Sequence, residues 1–211
     1  AGLSTREEYL EQLSNTIRDL HTTPGRLVQS ASQSSYDAWI KLYRPDENSP
    51  NSTISYYTKG GAIGFVLDAR IRAATGGAKT LDDAMRLAYQ RYSGERGFTT
   101  EQFRQVASEV AGTDLSAWFA RAADSTEELD YEEALGLYGL RFKPVQPRED
   151  KGWLGATTKN DAGRLVVTQV RRGTPAHEAG INVDDEILAI DAFRVRADQR
   201  DTRLEQYRPG R

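Results

Sequence analysis

The 211-residue chain has no cysteine, one methionine and two histidines. Without thiols there are no disulfides, no thiolate metal ligands and no cysteine nucleophile, and the compartment is left unspecified. His21 and His177 stand far apart, with no partner at metal-ligand spacing. His21 reads as a helix C-terminal residue favoured by the dipole, and His177 as a surface residue of a short helix. No HExxH, no Walker loop and no GxSxG is present. No apolar run reaches the length of a membrane span, and the start is not signal-like. The net charge of −3 gives no electrostatic case for a nucleic-acid or membrane partner. What is there is ordinary for a soluble globular protein, 38% hydrophobic and 28% charged, acidic up to about residue 150 and slightly basic after it. The chain opens on Ala1 rather than methionine and stops at "YRPGR", where Pro-Gly normally introduces another element. Both ends read as cuts in a longer protein.

Helix signals fill the first two thirds. In "STREEYLEQLSNTIRDL" a capping box pairs Ser4 with Glu7 or Thr5 with Glu8, and Tyr9, Leu13, Ile17 and Leu20 recur at helical spacing. "SSYDAWIKLY" is a second short helical pattern, and "PDENSPNST" a polar loop. In "ISYYTKGGAIGFVLDARIR", Ile63, Val66, Leu67 and Ile71 form an apolar stripe, with Asp68 and Arg72 paired four apart outside it. Thr80, Thr99 or Thr100, Asp114 and Asp130 cap further helices. After Gly139 the period changes. "LRFKPV" alternates like a strand, and "QPREDK" is a polar linker. "WLGATT" and "RLVVTQV" are strands joined by "KNDAG". "TPAHEAG" is a short helix with Pro175 at its first position, "EILAI" and "FRV" are short strands, and 197–207 is a final helix. The expected fold class is therefore α+β: an all-α unit over 1–142, then a small β-rich domain over 143–211.

The second unit resembles a PDZ domain, through the turn Trp153-Leu154-Gly155-Ala156, the helix TPAHEAGI and the hairpin DDEILAIDA. The resemblance implies that Trp153, Leu154, Gly155 and Ala156 form a loop whose backbone N–H groups hold a peptide's terminal carboxylate. The strand after it would pair with the peptide, and the final helix would form the other groove wall. Gly155 suits such a loop because it lacks a Cβ. Asp184 and Ala192 replace expected glycines, and the chain stops before the last strand, which should leave an exposed edge. Internal docking without free peptide is the alternative.

The first unit, from "GLSTREEYLEQL" through "DAWIKLYRPDENSPNSTISYYTKGG" to "TLDDAMRLAY", resembles the C-terminal half of the catalytic region of glycyl aminopeptidase-like zinc peptidases. These are thermolysin-like enzymes with a helical domain followed by a PDZ domain. The resemblance implies a zinc aminopeptidase acting on peptide substrates with N-terminal glycine or alanine. Its HExxH and glutamate ligands would lie in a missing N-terminal catalytic lobe, so no metal ligand and no cofactor belong to this fragment, which alone should be inactive. "YYTKG" resembles the Y-x-K-G element of related enzymes, whose tyrosine donates to the oxyanion. This implies a catalytic Tyr57, with Tyr56 shaping the substrate pocket. The plain alternative is that both tyrosines only pack at a helix entrance. Lys59 is expected to be a solvated or helix-positioning charge. Tyr36, Trp39, Trp118 and Phe119 are expected in the core, and the acidic run Glu127–Glu133 on a solvated helix start. A parent that has lost its zinc ligands and acts as a peptide-binding scaffold through the PDZ groove is the competing reading.

Overall fold

The computed structural model describes residues 3–144 and 151–208. The first turn of α1 (Arg6–His21) is closed by the Thr5–Glu8 capping box: Glu8 N–H donates to Thr5 Oγ1 at 3.2 Å and Thr5 N–H to Glu8 Oε2 at 2.8 Å. A 3-10 turn (Pro24–Leu27) and α2 (Ala31–Tyr36) follow, then α3 (Ser49–Ser52). The region expected to be a polar loop thus contains one helical turn, with Pro50 at its start. Gly25 lets this segment close on the 3-10 turn, because a Cβ there would lie 2.0 Å from the Thr53 carbonyl oxygen.

The long helix α4 (Tyr56–Ala74) is the axis of the unit and packs against α1, α2, α5 (Leu81–Tyr92), α6 (Thr100–Ala111) and α8 (Tyr131–Leu137). α7 (Ser116–Ala122) adds Trp118 and Phe119 to the core, as expected. Ala62, Val66, Leu67 and Ile71 of α4 meet Leu13, Ile17, Leu20, Val106 and Leu135 in one cluster. Fully burying each valine, leucine or isoleucine side chain among them stabilises by about 1.5–3 kcal/mol. Thr99 rather than Thr100 caps α6, and Asp130 accepts from the N–H groups of Glu132 and Glu133 to cap α8.

Residues 140–144 are not a strand, contrary to the alternation in "LRFKPV"; Leu140 instead packs on the helical core. The linker expected over "QPREDK" falls mostly outside the described residues, as does the end of "YRPGR". The second unit begins with β1 (Ala156–Asp161), antiparallel to β2 (Arg164–Val170). β1 starts later than "WLGATT" suggested and runs through "KND", so the hairpin turn is only Ala162-Gly163, both with positive φ. Thr174 caps α9 (Pro175–Glu178). The "EILAI" strand shortens to a bridge at Glu186 and to β3 (Ala189–Ile190), which pairs with β4 (Phe193–Arg194). Asp184 and Asp191 take the left-handed conformation, at φ 70° and 53°, which aspartate tolerates better than most side chains. α10 (Arg200–Leu204) is shorter than expected. β1 has no strand on its outer edge among the described residues.

The two units meet around Asn51 of α3. Its Nδ2 donates to the Val170 carbonyl at 2.9 Å, and its Oδ1 accepts from Arg172 N–H at 2.8 Å. Arg171 Nη1 donates to the Thr22 carbonyl at 2.8 Å.

Candidate functional site

Ser55 caps α4 through its hydroxyl, which accepts from Thr58 N–H at 3.3 Å. Tyr56 and Tyr57 occupy the first two helical positions. Side chains on a helix lean toward its N-terminus, so both phenols reach past the start of α4 toward the segment that follows α2. There they meet Tyr43, whose hydroxyl lies 2.8 Å from the Tyr57 hydroxyl and 3.1 Å from that of Tyr56. The Tyr56 and Tyr57 rings are offset with centroids 4.1 Å apart, and Trp39 lies 5.2 Å from the Tyr43 ring. Hydrogen bonds from Tyr43 first and Tyr56 second hold the Tyr57 hydroxyl below the ordinary phenol range. The same bonds, Tyr43 first and Tyr57 second, push Tyr56 above it.

This cluster stands at the surface. Tyr57 is 62% exposed, Trp39 79% and Tyr36 90%. Trp39 and Tyr36 are therefore not core aromatics. α2 ends at Tyr36 and the chain turns through 37–43, so their side chains leave the buried side that Ala31, Ser34 and Ala38 occupy. Lys59 is also unlike the expected solvated charge: it is 4% exposed, and its Nζ donates to the Ser125 carbonyl at 3.2 Å. Burial draws its pKa down, partly opposed by Glu128. Glu128 itself accepts from Arg26 Nε at 2.7 Å and lies 4.0 Å from His21, while Glu133 pairs with Arg70. Part of the acidic run is thus spent on tying helices together.

Asp68 and Arg72 do not sit outside the bundle as a simple surface pair. Asp68 accepts from Arg72 Nε at 2.6 Å, from the Tyr138 hydroxyl at 2.6 Å and from Leu81 N–H at 2.8 Å. Burial pushes its carboxyl up, but these three bonds outweigh it and leave the pKa lowered. They line a concavity of about 590 Å³ with Gly61, Gly64, Phe65 and Arg6. Tyr57 is not part of its wall. A second concavity, about 580 Å³, lies between His21, Arg26 and Leu27 of the first unit and Trp153, Gly155 and Ala156 of the second.

In the turn 153–156, Gly155 has φ +78° and a Cβ there would lie 2.5 Å from Thr174 Cβ, so the turn depends on glycine twice over. Leu154 accepts through its carbonyl from Ala176 N–H at 2.9 Å. The open edge of β1 faces α10, from which Arg200 Nη1 donates to Thr158 Oγ1 at 2.5 Å.

Among the described residues no three His, Cys, Asp or Glu side chains form a group that could hold a metal ion. The described side chains by themselves therefore do not fit a zinc site. No helix among the described residues is long and apolar enough to cross a membrane. The Tyr43 hydroxyl is the site residue that sequence reasoning missed. Its only signal was the aromatic density of "DAWIKLY", which carries no information about a partner 14 positions away.

Residues 1–63 match the family model of the M61 glycyl aminopeptidase, and residues 152–207 that of the PDZ domain. The fold is similar to the crystal structure of an aminopeptidase N family protein from Idiomarina loihiensis, at 27% identity and a TM-score of 0.88. The match covers 100% of this chain and 38% of that one, so the chain spans less than half the length of its structural relative. No curated protein matches it. The first 63 residues are thus similar to the glycyl aminopeptidase family and the second unit to the PDZ domain, in that order along the chain, and the fold of the whole chain is similar to that of an aminopeptidase N family protein.

Proposed function

We propose that this chain supplies the oxyanion-binding phenol of a zinc-dependent aminopeptidase that releases N-terminal glycine or alanine from peptides, with the zinc ligands held by residues outside this chain. The observation that carries the reading is the placement of Tyr57: an exposed phenol at the positive end of a long helix, with its oxygen 2.8 Å from a second hydroxyl. Hydrolysis of an amide passes through a tetrahedral species with charge on the former carbonyl oxygen. A phenol fixed beside that oxygen donates a hydrogen bond that strengthens as the charge develops. The free N–H groups at the helix start favour the same negative charge. Tyr56, with its hydroxyl turned to Tyr43, lines the approach rather than donating to substrate. The loop Trp153–Ala156 and the β1 edge supply the means to hold a peptide, by terminal carboxylate and by strand addition.

The test is Tyr57→Phe in the full-length protein. The expected result is a fall in kcat of about 100- to 1000-fold, the usual cost of one oxyanion donor, with KM little changed. An unchanged kcat removes Tyr57 from the reaction.

A further inference from the structure

We propose that Tyr43 is a positioning residue for the Tyr57 phenol: its hydroxyl accepts a hydrogen bond from Tyr56 and donates one to Tyr57, leaving the Tyr57 proton free for the substrate oxyanion. The proposal rests on the reading of Tyr57 as the oxyanion donor. Each phenol owns one proton and can accept as well as donate. With Tyr43 touching both neighbours, a Tyr57 that donated to Tyr43 would have nothing left for substrate. The order Tyr56 to Tyr43 to Tyr57 is the arrangement that satisfies both contacts and spares that proton. Hydrogen bonds in such a chain polarise one another, so each donor is strengthened by the bond it accepts.

Tyr43 is built to stay in place. The segment before it is wound by backbone bonds from Ile40 N–H and Lys41 N–H to the Asp37 carbonyl, both 3.0 Å, and from Tyr43 N–H to the Ala38 carbonyl at 2.9 Å. Ala38 is buried and Trp39 flanks the Tyr43 ring. The titratable groups acting on the Tyr57 hydroxyl are Tyr43, from this segment, and Tyr56, its neighbour on α4. The Tyr43 contact, the larger influence, lowers its pKa, the direction expected of an oxygen that accepts a hydrogen bond.

Tyr43→Phe keeps the ring and removes the hydroxyl. In this chain, carbon-13 NMR of the tyrosine ring carbons across alkaline pH should show the Tyr57 midpoint moving up toward the ordinary phenol value. In the full-length enzyme the same variant should lose roughly tenfold in kcat, the scale of one hydrogen bond, with KM within about twofold. Tyr89→Phe, an exposed tyrosine on α5, should change neither. An unmoved Tyr57 midpoint overturns the proposal. So does an unchanged kcat in Tyr43→Phe where Tyr57→Phe is impaired. An unchanged kcat in Tyr57→Phe itself overturns the reading beneath it, and with it the positioning role.

Discussion

Tyr138 and Lys59 show what burial does to single groups. The Tyr138 hydroxyl, whose pKa is pushed up to about 12 by burial and by Asp68, donates to an Asp68 carboxylate held below its usual range. A lowered carboxylate pKa contributes stability that is present above the unfolded value of 3.8 and lost as pH falls through the folded one. A raised phenol pKa contributes stability present below the unfolded value of 10.0 and lost as pH climbs toward 12. Tyr138→Phe should therefore cost about 1 kcal/mol near neutral pH, a modest figure because the pair is partly solvated. The difference from wild type should close at both extremes, as read from urea midpoints between pH 3 and 11. Lys59 has the opposite sign. Its folded pKa lies below 10.5, so the folded state binds fewer protons than the unfolded one in the window beneath that value, and stability rises with pH there. Relative to Lys59→Met, which cannot titrate, the wild type should gain stability as pH approaches 10.5; a pH-independent difference would contradict the burial of the ammonium.

At the scale of the element, α4 is unusual in carrying Gly60, Gly61 and Gly64 within three turns of its start. An added Cβ at Gly60 or Gly61 meets nothing within 4 Å, and at Gly64 only Leu81 Cδ2 at 3.8 Å. Glycine in a helix interior costs about 0.5–1 kcal/mol relative to alanine. In this chain, Gly61→Ala should raise stability by about that amount, checked by the shift of the denaturant midpoint at constant m-value. A destabilised variant would mean that the space beside Gly61 is not open in solution. The helix itself was legible from the sequence, because the apolar stripe of Ile63, Val66, Leu67 and Ile71 is a local signal. The strand expected over "LRFKPV" was not, because alternation over six residues does not distinguish a pleated strand from an irregular segment packing one leucine on a helical core.

For the whole molecule, the decisive contact is Asn51, buried between the units and bonded to both the carbonyl of Val170 and the N–H of Arg172. Its side-chain amide bonds two backbone groups, one at the end of β2 and one just beyond it. Asn51→Ala should cost about 2 kcal/mol, because buried polar groups stripped of partners lose their compensation. The Arg172 amide should exchange faster with solvent, and calorimetry should show the helical and PDZ units melting apart. A single unshifted transition would show that the interface is held elsewhere. "PDENSPNST" announced only a polar loop, since nothing in it names a partner about 120 residues later.

Most helix positions, several caps and the PDZ-like turn follow from the sequence alone, because each depends on residues within a few places of one another: Thr5 with Glu8, Asp130 with the N–H groups that follow it, Gly155 with its own φ. The tertiary structure decided which side chains left the core and which met. It turned Trp39 and Tyr36 outward, drew Lys59 inward, joined Asp68 to Tyr138 and brought Tyr43 to Tyr57. The reason is physical: periodicity assigns a residue to a face, but only the packing of one element on another gives that face its neighbours.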